Sequence, residues 1–87
     1  MDLNEIIPQL RAFVRAQFKI NDNDADFDDN VHLFDYGYVD SFGAVTLTSW
    51  VEKNFGIKIA DTDMIAHPLN TICEIATFVV RRRAGQI

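Results

Sequence analysis

The chain has one cysteine, two serines and two histidines in 87 residues. A single cysteine excludes an intramolecular disulfide framework and a thiolate zinc site. Neither His32 nor His67 stands in an H-x-x-x-H spacing or beside the cysteine, so a histidine metal site is disfavoured. Neither Ser41 nor Ser49 lies in a Gly-x-Ser-x-Gly elbow, which removes the sharp-turn setting of a hydrolase nucleophile. Cys73 falls on a helical stretch among apolar residues and reads as a buried small residue rather than a reactive thiol. Long apolar runs are missing, and with them any membrane-spanning segment. The start, Met1-Asp2-Leu3-Asn4-Glu5, is acidic and has no apolar h-region, so no signal peptide and a cytoplasmic location are expected. Basic residues cluster only at Arg81-Arg82-Arg83, too few to neutralise a phosphate backbone, so no nucleic-acid partner is expected.

What is present suits a small folded body. Hydrophobic residues make up 48% of the chain, with seven Phe, which is too apolar for disorder and enough for a small core. The length predicts one domain over 1–87, free-standing and by default monomeric. A chain this short buries only about 60–65% of its unfolded surface, so its margin of stability is thin. The net charge of −5 is concentrated: residues 21–40 hold seven Asp and no Lys or Arg.

The pattern predicts three main helices and one short one in a small antiparallel bundle. Ile6, Leu10, Phe13, Val14 and Phe18 recur at three- and four-residue steps and form one stripe. Pro8 is tolerated only near a helix start, so regular helix is expected from Glu5 or later. Residues 21–30 are Asp- and Asn-rich without helical period and predict a long loop, pinned to the core by Phe27 and Leu33. Gly37 marks a turn, Asp40 or Ser41 supplies an N-cap, and a helix follows to Phe55 with Ala44, Leu47, Thr48, Val51 and Phe55 inward. Gly56 stops it. Ile57 and Ile59 read as a connector, and Asp61-Thr62-Asp63 as the cap of a short helix that His67-Pro68 ends. Thr71-Ile72-Cys73-Glu74 is a capping box opening a last helix with Ile72, Ile75, Ala76 and Val79 inward. Residues 84–87 are expected to fray.

The acidic loop invites a calcium test and fails it. Asp22, Asp24 and Asp26 match the first three ligand positions of an EF-hand, but Phe27 stands where Gly is needed and Leu33 where a bidentate Glu is needed. Ser41 has a more specific setting. It stands where loop becomes helix, so a phosphate attached there would face the unpaired N–H groups and positive end of the helix dipole. On geometry alone, a plain N-cap serine is the commoner reading.

Asp40-Ser41-Phe42 resembles the phosphopantetheine attachment motif of acyl carrier proteins. The stretch Phe34-Asp35-Tyr36-Gly37-Tyr38-Val39-Asp40-Ser41-Phe42-Gly43-Ala44-Val45 is similar to the D-alanyl carrier branch, which reads Phe-Glu-Glu-Gly-Leu-Leu-Asp-Ser-Phe-Gly-Thr-Val. Glu52, Phe55, Ile57, Ile59 and Thr71 follow the family rhythm, and the resemblance runs from Leu3 to Arg81. It implies a non-enzymatic carrier of an acyl or aminoacyl group. Ser41 would bear a 4'-phosphopantetheine arm and hold cargo on it as a thioester. Asp40 would help position magnesium in the complex with a phosphopantetheinyl transferase. An adenylating ligase or acyltransferase would load the cargo, and acyl-transfer or synthase enzymes of a dedicated biosynthetic pathway would take it.

Phe42, Val45, Thr46 and Ser49 then resemble the partner-recognition face of carriers, with Asp35 at its edge, while Phe42 and Val45 equally suit partial burial. Residues 44–51 hold no charge, unlike the glutamate-bearing helix of fatty-acid carriers, so electrostatic steering from this helix is expected to be weak. Trp50 suits either the gap towards Met64 and Ile65 or a partner anchor. The alternatives are a D-alanyl carrier for cell-envelope polymers and, in another class, a helical adaptor with Ser41 as a mere cap.

Overall fold

A reciprocal cap starts the first helix earlier than Pro8 suggests. Asp2 Oδ1 accepts from the Glu5 N–H at 3.1 Å, and Glu5 Oε1 accepts from the Asp2 N–H at 3.2 Å. In the computed structural model, which describes residues 1–87, α1 therefore spans Leu3–Gln17, with Pro8 inside it. Proline deprives the Asn4 carbonyl of its helical donor, but both residues are exposed and water can serve that carbonyl. The other helices are α2 (Ser41–Phe55), α3 (Asp61–Ala66) and α4 (Ile72–Arg83), and there is no strand. The all-helical bundle expected from the periodicity is the fold observed.

The helix ends follow local chemistry. α1 closes with the Ile20 N–H on the Arg15 carbonyl at 2.9 Å and Lys19 in the left-handed region at φ 54°, a position usually given to glycine. Gly56, at φ 67°, stops α2 as expected. Thr71 and Glu74 form the expected box on α4. The cap of α3 is displaced by one residue from the reading of 61–63: Ala60 holds the cap position, with its N–H on Asp63 Oδ2 at 2.9 Å, and Asp61 is already helical.

The core is 17 buried residues, all apolar, with no buried polar residue among them. α1 gives Ile6, Leu10 and Val14, α2 gives Leu47, Val51 and Phe55, and α4 gives Ile72, Ile75, Ala76, Phe78 and Val79. Phe78 falls outside the stripe read from the sequence, yet it is 3% exposed beneath the Arg82 guanidinium. The long loop supplies Ile20, Phe27, Val31, Leu33 and Val39, so it is pinned at five points rather than two. α1 and α4 lie side by side along more of their length than any other pair of helices. α2 is tied to α1 by large rings instead. Phe18 meets Phe13 edge-on at 6.5 Å, Phe13 stacks on Trp50 at 4.2 Å, and Trp50 meets Phe55 edge-on at 5.6 Å. Trp50 thus packs towards α1, not towards Met64 and Ile65, because the flat Phe13 face offers the stacking partner.

α3 differs from the rest in burying no residue. It is fastened by Arg82, whose Nη2 bonds Asp63 Oδ1 at 2.7 Å and whose Nη1 donates to the Lys58 carbonyl at 3.3 Å. The Ala60 N–H, then Arg82, hold the Asp63 carboxyl below the usual carboxylate range. The tail, expected to fray, folds back: the Gln86 N–H donates to the Arg81 carbonyl at 2.9 Å, Gly85 turns at φ 74°, and Ile87 is half-buried. Its apolar last side chain finds the groove beside Cys73 and Phe78. No helix is long and apolar enough to cross a membrane.

Candidate functional site

The loop before α2 is held by its own backbone. The Leu33 N–H donates to the Asn70 carbonyl at 2.9 Å, and the Leu33 carbonyl accepts from Val39 at 3.1 Å. Between them the chain turns through the Gly37 N–H on the Phe34 carbonyl at 3.0 Å, with Gly37 at φ 78°. Leu33 and Val39 are sealed in the core, so Asp40 and Ser41 emerge from a fixed base.

Asp40 is the N-cap of α2. Its Oδ1 accepts from the Gly43 N–H at 2.7 Å and its carbonyl from the Ala44 N–H at 2.8 Å. This corrects one reading of Ser41. It is the first helical residue and not the cap; an aspartate one position earlier already fills that role. The Ser41 side chain is exposed and makes no hydrogen bond within the chain. The Ser41 and Phe42 N–H groups also lack an acceptor in the chain, and Asp40 Oδ2 is free. An uncommitted hydroxyl at a helix start, beside two free N–H groups, fits a phosphodiester substituent.

The outer face of α2 is apolar and neutral. Phe42 is 87% exposed and Val45 67%, so neither belongs to the core. Thr46 and Ser49 are exposed on the same helix. No charged residue occurs from Ser41 to Val51, and Glu52 turns inward to accept from the Ile59 N–H at 2.8 Å. On α3, Ile65 is 87% exposed and Met64 46%. The sequence stripe did not single out these two; their signal is a six-residue helix too short to bury both sides. Behind the face lies an apolar cavity of about 150 Å³, lined by Ala44, Leu47 and Thr48 of α2, Met64 of α3, and Leu69 and Ile75.

Asp35 is exposed, and its N–H donates to His32 Nδ1 at 3.0 Å. The other acidic residues are largely engaged. Arg11 grips Asp29 through Nε and Nη2, at 2.9 and 2.6 Å, and that pairing raises the Arg11 pKa. Asp24 and Asp28 close Asx turns on the N–H groups of Asp26 and Asn30. No three potential metal-ligating side chains gather anywhere. Cys73 is half-buried rather than buried as expected, and its partial desolvation pushes the thiol up, which suits an inert side chain.

Tyr38 joins loop to site. Its hydroxyl donates to Asp24 Oδ2 at 2.9 Å, and its ring stacks on Tyr36 at 6.3 Å and meets Phe27 edge-on at 5.4 Å. Burial, then the Asp24 bond, push its pKa from 10.0 up to about 12. Because the folded value exceeds the unfolded one, the stability that this burial and bond contribute together is complete below pH 10 and is lost as pH rises through about 12. Phenolate absorbance is expected to show a late phase near pH 12 that Tyr38→Phe removes. Titration of Tyr38 at its ordinary value would deny the bond.

Residues 8–79 match the family described as a phosphopantetheine attachment site. No curated protein sequence matches the chain.

Proposed function

The chain belongs to the phosphopantetheine-attachment family of acyl carriers, and from that premise we propose that Ser41 is the residue that bears the arm. Members of this family are not enzymes; they receive 4'-phosphopantetheine covalently from a phosphopantetheinyl transferase. The observation that carries the assignment is the freedom of the Ser41 hydroxyl, exposed and unbonded at the start of α2 while Asp40 does the capping. When attached, the arm supplies a terminal thiol that holds cargo as a thioester.

Asp40 has two tasks in this reading. Oδ1 caps the helix, and the free Oδ2 helps place the transferase's magnesium beside Ser41. Phe42, Val45, Thr46 and Ser49, with Asp35 at the edge, form the face that meets the transferase, the loading ligase or acyltransferase and the enzymes that take the cargo. A neutral apolar face favours short-range contact over long-range steering. The apolar cavity behind α2 favours a small acyl cargo, since a space of about 150 Å³ takes a ligand the size of benzene. D-alanine is the narrower reading, favoured by the likeness of Phe34–Val45 to that branch.

The test is intact mass before and after incubation with coenzyme A, magnesium and a broad-specificity transferase. The wild type gains one phosphopantetheinyl group; no gain with several transferases on folded protein would defeat the proposal. Asp40→Asn separates the two tasks of Asp40. Asparagine still caps, so thermal stability stays close to wild type, within a few tenths of a kcal/mol. Arm attachment slows, because the carboxylate charge is gone. Attachment at the wild-type rate would leave Asp40 as a cap alone.

A further inference from the structure

Gly43 is buried in the first turn of α2, two residues past Ser41. A Cβ built there would lie 2.7 Å from Cε1 of Phe18, 3.0 Å from Cγ1 of Val39 and 3.2 Å from Oδ1 of Asp40. Each neighbour is restrained. Phe18 caps the C-terminus of α1 with its N–H on the Val14 carbonyl at 3.0 Å, and its ring abuts Phe13, which is itself stacked on Trp50. Val39 is 2% exposed, and Asp40 is held by its bond to the Gly43 N–H. The ring edge of Phe18 therefore fills the space that a side chain at position 43 would take. It does so at the turn that carries Ser41.

From this contact we infer that Phe18 and Gly43 form a socket that sets the position of Ser41 for arm attachment. The inference rests on Ser41 being the attachment residue. Neither Phe18 nor Gly43 touches the reacting hydroxyl; both are positioning residues. The end of α1 meets the start of α2 here, and the aromatic row from Phe18 through Phe13 to Trp50 holds α2 again about two turns on. Two supports on one side fix where the first turn of α2 sits. A methyl at position 43 is admitted only if the half-buried Phe18 ring yields or the turn moves off it, and Val39 and Asp40 crowd the same space. A smaller residue at position 18 leaves the turn unsupported. Displacements of about 1 Å at a reacting group can cost up to about a hundredfold in rate.

The test is a double-substitution cycle on the rate of arm attachment. It uses the full chain, coenzyme A, magnesium and a broad-specificity transferase, well below the melting midpoint of each variant. Gly43→Ala is expected to lower kcat/KM by about ten- to a hundredfold while far-UV circular dichroism stays native. Phe18→Leu is expected to lower it less. Combining the two puts a methyl into the space the ring leaves, and the rate recovers above that of either single variant. Folded Gly43→Ala that attaches the arm at the wild-type rate overturns the inference, even if its melting midpoint drops. So does a double variant no faster than Phe18→Leu, a comparison that stands even if Gly43→Ala alone does not fold. If the wild type itself takes no arm, the reading of Ser41 has failed instead.

Discussion

Ser41→Ala is expected to fold like the wild type and to take no arm at all. The two halves of that result have separate causes. The hydroxyl is the only nucleophilic atom the side chain offers, so its removal leaves nothing to attach to and the loss is complete. The fold does not depend on it, because Ser41 is exposed, makes no side-chain bond and follows the cap instead of being one. An exposed change of this kind lies within about 0.5 kcal/mol of neutral. Ser49→Ala is the control. Ser49 is the other serine, exposed two turns further along α2, and its variant should gain one group as the wild type does. Intact mass decides the matter. A full gain in Ser41→Ala, or a gain lost in Ser49→Ala, would move the site.

Leu33→Ala has the largest expected effect on stability. Leu33 is wholly buried in a loop, with its N–H on Asn70 and its carbonyl taking the Val39 N–H. Truncating such a leucine costs about 2–5 kcal/mol through lost transfer energy and a residual cavity. A domain of this length has roughly 4–13 kcal/mol in total, so the variant forfeits a large part of it. Urea unfolding by circular dichroism measures the loss. A cost below about 1 kcal/mol would mean that the loop unfolds apart from the helices. The expected large cost would tie the placement of Ser41 to the stability of the whole body, since the same residue anchors both.

The helices and most caps were legible because their causes are local. Thr71 and Glu74, or Phe55 followed by Gly56, lie within one turn of each other in sequence as in space. The start of α1 was misread for a local reason as well: Pro8 argues for a later start, but the cap formed by Asp2 and Glu5 outweighs one missing donor on an exposed face. Other features depend on distance across the fold and leave no such trace. The choice of Phe13 by Trp50 needs the spacing of α1 and α2, which no periodicity encodes. Periodicity also could not separate Asp40 from Ser41 as the cap, because both residue types suit the position. The exposure of Phe42 was ambiguous for a related reason: an apolar residue off the main stripe can serve a core edge or a docking face, and only the finished fold tells which.

α3 contributes no residue to the core, and its fastening comes from an arginine on another helix and from a carboxylate of its own. Its sequence is therefore lightly constrained by folding. Apart from Asp63 and Met64, which lines the cavity behind α2, its positions can be exchanged in the course of descent with little cost to stability, and Ile65 lies in the open. A chain built this way can change the surface of a single short helix by drift while the turn that carries Ser41 and the core beneath it stay as they are.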